Sequence, residues 1–525
     1  MQNLNHYPAF IKKRFFSRGT IYARNQPLHK MHFTFLLALL IALFALTSGQ
    51  LYTNGQDIVS NSGAKIRLKC VNWYGFHQEL FVPGGLEQKS IAAMADNIAS
   101  MGSNCVRLPF SIDMWRLNPV PPQFAVQSMN SSECAPNATS LALLDCVVKH
   151  LTDRNIMVIL NNHNSFPGWI GLSEAQQGLW HLPNYPVSMW LRCLEHMASR
   201  YKHNTLVVGM DLRNEIHDQD GVKLTWGETS DIRTDWKSAS SVASGVIEAV
   251  NPNMLIMVTG LCYGYDFHDM IKNPGPENAR RRQKLVYTSH VYTSAFWWTQ
   301  ISWTLVISLA VVLLLSGFIL SATQYRWIKY IEIPDAKDVC LYVIGGLGPF
   351  FLLWGVLILT YSLILDNVGC SAYVQHLQGW IWYLFVMAIL SLVCIVDLEV
   401  LHETGPARIW CFLFGIVCGA HAIGFIILAI IAQTYWMVEN ELLMWSDMPV
   451  PLWVGEFGAG WDNDTPIWNH LLDFINNQQF DFAYWAVNGA KWNQNKMMYE
   501  DESFGLLNLN YTQVRNPTLI KVLFR

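Results

Sequence analysis

The sequence predicts an α/β fold, a (β/α)8 TIM barrel interrupted between its sixth and seventh strands by an all-α insertion of four transmembrane helices. Three observations predict it. From Leu51 to about Phe296, apolar runs rich in β-branched residues alternate with amphipathic stretches, the pattern of repeated βα units and a parallel sheet. Four longer apolar runs follow in series. Two more strand-like runs come after them, and six plus two is the number of strands that closes a barrel.

Taken in order, residues 1–30 form a basic tail, with Lys12, Lys13, Arg14, Arg18, Arg24 and Lys30 and no acid. Residues 31–49 carry the apolar run Phe35–Leu46 and then the small residues Thr47-Ser48-Gly49. These are the parts of a secretory segment, either a signal peptide cleaved near Gly49 or a retained signal anchor, with Met31 as an alternative start. Residues 50–298 hold the first part of the barrel, with strands expected at Ile66–Trp73, Asn104–Phe110, Ile156–His163, Val207–Glu215, Leu255–Gly260 and Leu285–Tyr292. Between them Leu86–Met101, Leu141–Asp153, Met189–Tyr201 and Ile232–Val250 show helical periodicity. The insertion, residues 299–438, contains the runs Ile301–Leu320, Val339–Leu365, Trp380–Val396 and Ile409–Ala432. Most are long enough to cross a bilayer; the third is near the lower limit of roughly 17 residues. Trp297, Trp303, Trp380 and Trp436 near their ends suit membrane interfaces. An even number of spans returns the chain to the side it left, so residues 439–525 can complete the barrel with Pro451–Phe457 and Asp481–Val487.

Charge placement orients the insertion. The connection Ser321–Asp338 holds Arg326, Lys329 and Lys337, and Arg408 precedes the fourth run, whereas Asp366–Gly379 holds no Lys or Arg. The excess of basic residues on cytosolic loops then places the barrel outside the cell or in a secretory lumen, as part of a multi-pass membrane protein. The sequons at Asn130, Asn137, Asn463 and Asn510 all fall in segments assigned to that side. Cys134 and Cys146 flank a loop carrying a sequon, so a disulfide between them is plausible there. Only 14% of residues are charged and 52% are hydrophobic, an excess concentrated in the insertion. Net charge is −4, and beyond residue 30 the one basic cluster is Arg280–Lys284, which argues against a nucleic-acid partner. No C-x-x-C pair or His-x-x-x-His spacing marks a metal site, and no cofactor is implied.

Two strand ends carry the chemistry. V-V-G-M-D-L-R-N-E ends on Asn214 and Glu215, and P-L-W-V-G-E-F-G presents Glu456. Barrel enzymes keep their reactive groups at the C-terminal rim of the strands, and two rim carboxylates suit acid/base or nucleophilic work on a glycosidic bond. The other strand ends add Arg107 in V-R-L-P-F, His163 in N-N-H-N, His290 and Tyr292 in S-H-V-Y, and Trp485 in Y-W-A-V-N-G. With V-N-W-Y-G-F at Val71–Phe76, N-P-N-M-L-I at Asn251–Ile256 and F-G-L-L at Phe504–Leu507, this set resembles glycoside hydrolase family 5, the cellulase-like branch of the barrel glycosidases.

The resemblance implies a retaining β-glycoside hydrolase of the endo-β-1,4-glucanase type, with a β-glucan or related carbohydrate as substrate. It assigns Glu215 as general acid/base and Glu456 as nucleophile, with Arg107, His163, Asn214, His290, Tyr292 and Trp485 binding substrate. Arg107 and Tyr292 would keep Glu456 ionised, and a neighbouring carboxylate would raise the Glu215 pKa. Trp485 would floor the sugar, while for Trp73 and Trp226 core packing outweighs a place in sugar subsites. Two features depart from the family pattern. Many members have Pro after the Asn-Glu pair where this chain has Ile216, which leaves the turn aiming the acid less constrained, and the membrane insertion is not a usual family feature. A membrane sugar receptor without catalysis, or a hydrolase of another β-glycan or glycolipid, are the alternatives. A transporter is disfavoured because the apolar runs hold few ionisable residues, chiefly His421.

Overall fold

Strands buried on both faces need unbroken apolar runs, because the barrel interior lies on one side and a helical layer on the other. In the computed structural model such runs form β3 (Lys69–Asn72), β4 (Cys105–Ser111), β5 (Met157–Asn164), β6 (Val207–Asp211), β7 (Leu255–Thr259), β8 (Leu285–Tyr292), β9 (Leu452–Gly458) and β10 (Asp481–Tyr484). They close in the order β10-β3-β4-β5-β6-β7-β8-β9, with every pair parallel. The structure describes residues 50–169, 177–292 and 447–524, all in the compact unit Gly49–Arg525. Residues 1–49 and the four apolar runs expected to span a membrane lie outside the described residues. Among the described residues no helix is long and apolar enough to cross a membrane.

Two short hairpins flank the barrel. The first, β1 (Leu51–Asn54) with β2 (Asp57–Ser60), closes the N-terminal end. Its Leu51 and Ile58 join Leu68, Ile159, Met257 and Trp453 in an apolar cluster filling the lower interior. The second, β11 (Ala490–Asn493) with β12 (Met498–Asp501), follows β10 on the opposite rim, at the C-terminal ends of the strands. Outside the strands, the helices bury one face each against a larger continuous core.

Helix starts follow their caps rather than hydrophobic periodicity alone. The stretch expected to be helical from Ile232 begins at Trp236, because the Asp235 carboxylate accepts the Ser238 amide at 2.8 Å. Such a cap contributes about 1 kcal/mol. The helix expected from Leu86 begins at Ile91, where the Ser90 hydroxyl accepts the Ala93 amide at 3.2 Å and Glu133 takes the amides of Ile91 and Ala92. The Cys134–Cys146 disulfide is present. A second one, Cys70–Cys105, joins register partners on β3 and β4 and was not expected from spacing.

Candidate active site

Arg107 lies in an all-buried strand with a fully buried guanidinium, a position tolerable only with counter-charges around it. Its Nε and Nη2 donate to Asp211 Oδ2 at 3.0 and 2.8 Å. Nη1 donates to Glu456 Oε2 at 2.8 Å and to Asn72 Oδ1 at 3.0 Å, and Nη2 also reaches Asn214 Oδ1 at 2.7 Å. One side chain therefore ties β3, β4, β6 and β9 together. Asn161 on β5 adds a 2.9 Å bond to the same Asp211 oxygen.

The two glutamates face each other above this cation. Glu456 Oε1 accepts the Tyr292 hydroxyl at 2.6 Å while Oε2 takes Arg107. An irregularity in the β8–β9 register places His290 opposite Glu456. The His290 Nδ1 sits 3.0 Å from Glu215 Oε1 and 3.7 Å from Glu456 Oε2. One oxygen of each glutamate and a ring nitrogen of His290 all lie within 4.8 Å of one another. Such a trio could hold a cation, but both Glu456 oxygens are already occupied by proton donors and Arg107 supplies the positive charge. The set is built for protons rather than a metal.

Environment separates the two carboxyls. Burial raises Glu215 from 4.5 to about 7, opposed only by the charge of Arg107. Burial rather than a neighbouring carboxylate is therefore the cause, which corrects the expectation from sequence. Burial also pushes Glu456 upward, as does the Glu215 charge, while Arg107 and the Tyr292 hydroxyl, together with His290 when protonated, pull against it. His290 is driven down to about 4 by burial, so it is a neutral ring at neutral pH.

The turn that aims Glu215 is held without proline. β6 ends at Asp211, short of the expected Glu215, and Glu215 itself has φ +26°. A non-glycine residue there costs of order 1–3 kcal/mol and persists only when its surroundings fix it. The His217 Nδ1 donates to the Glu215 carbonyl at 2.7 Å, and the His217 amide donates to Gly178 O at 3.1 Å. The Tyr263 amide donates to the Ile216 carbonyl at 2.8 Å, and its ring stacks on His217 with centroids 3.9 Å apart. These contacts constrain the turn that sequence alone left loose.

Aromatic side chains line the neighbouring wall. Trp485 stacks on Tyr74 at 4.8 Å with rings 2° from parallel, and on His163 at 5.7 Å. Tyr74 in turn donates its hydroxyl to Glu502 at 2.5 Å. His163 bonds Asn161 Oδ1 through Nδ1 at 2.8 Å and meets the Asn214 amide at 3.4 Å. All eight residues singled out from sequence thus gather around one point. Trp73 and Trp226 do not join them; both are buried, with indole N–H groups donating to the Gly84 and Asn273 carbonyls. Asp211, Asn72, Asn161 and Tyr74 were not anticipated. A signal existed for Asp211, since an acid inside V-V-G-M-D demands a buried cation.

Comparison with known proteins finds similarity to endoglucanases. The sequence is 35% identical over 229 residues to the major extracellular endoglucanase of Xanthomonas campestris pv. campestris, covering 43% of this chain and 44% of that protein. It is 32% identical over 217 residues to an endoglucanase of Paenibacillus polymyxa, covering 41% and 51%. The chain thus spans about half the length of the curated relatives it matches. The solved catalytic domain of the Xanthomonas enzyme superposes with a TM-score of 0.53 at 21% identity, covering 90% of this chain and 99% of that one, a likeness of fold. Over residues 59–304, the family whose model this sequence matches is Cellulase (glycosyl hydrolase family 5).

Proposed function

We propose that the protein is a retaining β-glycoside hydrolase of the endo-β-1,4-glucanase type, with Glu456 as nucleophile and Glu215 as acid/base. The observation that carries this is the approach of the two carboxyls, with oxygens inside 4.8 Å, together with their unequal company. Retaining enzymes keep their carboxyls roughly 5–5.5 Å apart and inverting ones roughly 6.5–9.5 Å, so the short approach favours direct attack over a water between them. Glu456, with Arg107 and Tyr292 donating to its two oxygens, is the anion. Glu215, raised to about 7, still carries its proton near neutrality.

In the first step a Glu456 oxygen attacks the anomeric carbon as the glycosidic bond breaks, and the departing oxygen takes the Glu215 proton. In the second, Glu215 accepts a proton from water, the water oxygen attacks the anomeric carbon, and Glu456 leaves. Asn214, oriented by Arg107, would meet a sugar hydroxyl beside the scissile bond, and Trp485 would floor the ring. His163 and His290, both neutral, orient these groups. The matched endoglucanases support a β-glucan substrate.

The insertion is proposed to anchor the barrel on the non-cytosolic side of a membrane through four spans, on the strength of its apolar runs and the Lys/Arg asymmetry of their connections. Exposed sequon residues Asn130, Asn137 and Asn510 are consistent with that side. The functional reading is tested by following the anomeric proton during hydrolysis of a cello-oligosaccharide. The β-anomer should form first, and Glu456→Gln should abolish covalent trapping by a 2-fluoro glycoside. An α-anomer as first product would overturn it.

A further inference from the structure

A turn beside Glu215 carries a covalent bond that the chemistry of the site does not use. It follows β7 and covers residues 260–266, with Leu261 and Asp266 exchanging two backbone hydrogen bonds of 2.9 Å. Within it Cys262 and Tyr263 have left-handed backbones, φ +52° and +60°. Residues with a Cβ keep that conformation only where their surroundings hold them in it. The turn meets the catalytic rim at three places. Tyr263 donates to the Ile216 carbonyl and stacks on His217, the ring that bonds the Glu215 carbonyl. The Tyr265 hydroxyl accepts the Tyr292 amide at 3.3 Å. Gly264 packs so closely on His290 that a Cβ there would lie 3.1 Å from the His290 backbone nitrogen.

Cys262 is half-buried and disulfide-bonded. Its partner lies outside the described residues, because within them Cys70 pairs with Cys105, Cys134 pairs with Cys146, and Cys193 is a free thiol. Five cysteines are left: Cys340, Cys370, Cys394, Cys411 and Cys418. The sequence selects among them. Cys340, Cys394 and Cys411 stand at the ends of apolar runs that the proposed topology puts on the cytosolic face, and Cys418 falls inside the fourth run. Cys370 belongs to the connection of residues 366–379, which holds no Lys or Arg and shares the barrel's side. That side is the oxidising one, where disulfides form and persist. Position agrees, since the chain departs for the insertion just after Tyr292, whose amide is bonded to this same turn.

We propose that Cys262 is joined to Cys370, and that this bond ties the turn aiming Glu215 to the membrane insertion, which makes Cys262 a positioning residue for the acid. The proposal rests on the topology and hydrolase readings given above. In forming the bond each thiol gives up one proton and one electron, and the two electrons reduce the disulfide of a secretory thiol oxidoreductase to its dithiol. The tether fixes the backbone at Cys262, and Tyr263 passes the constraint to Ile216 and His217. Arg107 holds Glu456 from β4, outside this turn, so loss of the bond weighs on protonation of the leaving group.

To test it, full-length protein in membranes from a secretory host is blocked with N-ethylmaleimide and digested without reductant, and linked peptides are identified by mass spectrometry. A Cys262–Cys370 peptide pair is expected; Cys262 alkylated, or linked to any other cysteine, overturns the proposal. The positioning role is read from the ratio of kcat/KM for a cellobioside with a poor leaving group to that for an activated one. Cys370→Ser should lower this ratio on the order of tenfold. Adding Cys262→Ser should lower it no further, because both substitutions remove the same bond. An unchanged ratio in Cys370→Ser overturns the positioning role. Should the unmodified protein hydrolyse neither substrate, the hydrolase reading fails and the positioning role with it, while the peptide pair still decides the bond. The topology reading fails separately, on glycosylation of a sequon engineered into residues 321–338.

Discussion

Replacing Glu215 by Gln should stabilise the protein while disabling it, and only above a particular pH. In the folded chain burial raises this carboxyl from 4.5 to about 7. The folded state therefore binds the proton more tightly than the unfolded one. The stability tied to that proton is fully present below about pH 4.5 and is lost as pH rises through 7. The shift corresponds to about 3 kcal/mol at pH 8, a ceiling because the side chain keeps 17% exposure to the cleft. Gln has the same shape and no charge to desolvate, so it escapes the penalty. Thermal unfolding of both full-length proteins at pH 4 and pH 8 gives a double difference in which every other titrating group cancels to first order. The variant should melt within about a degree of the parent at pH 4 and several degrees higher at pH 8. The same substitution should abolish hydrolysis of poor leaving groups, and the parent's rate on them should decline as pH rises through about 7. A variant-minus-parent difference equal at the two pH values would refute burial as the source of the shift.

Arg107→Met should destabilise the fold by about 3–5 kcal/mol, because it strands the fully buried Asp211 as well as Glu456; the melting temperature checks this. His217→Ala removes the side-chain donor to the Glu215 carbonyl and should slow cleavage of poor leaving groups more than activated ones, with partial rescue by His217→Asn. Equal slowing on both would show that the turn does not aim the acid. An engineered sequon in Ser321–Asp338 should remain unmodified in the full-length protein expressed in a secretory host, while Asn130 or Asn510 is glycosylated, as read by a glycosidase-sensitive mobility shift.

The barrel was legible because its strands are apolar runs with few alternatives. Leu285–Tyr292 has the predicted limits, and the others begin or end within a few residues of them. Where the limits differ, a local polar contact wins over hydrophobic pattern, as when the Asp235 cap delays its helix or the turn at Glu215 ends β6 early. The ring of rim residues was legible because each stands at the end of such a run. Partners from distant strands were not. The Tyr74–Glu502 bond links residues 428 positions apart, and nothing local to either announces the other.

The division of labour between the two glutamates belongs to this second kind of knowledge. In the sequence they look alike, each a carboxylate at the end of an apolar strand. The fold surrounds both with low-dielectric walls, which favours the neutral form of each. It then aims donors unequally. Arg107 and Tyr292, from β4 and β8, converge on Glu456, whereas Glu215 meets only a neutral histidine. Arg107 can be so placed because Asp211 and Asn214 fix its Nε and Nη2, and Asn72 accepts a second bond from Nη1. On the proposed assignment, the buried pair Arg107–Asp211 locates the charge that sets Glu456 apart from Glu215.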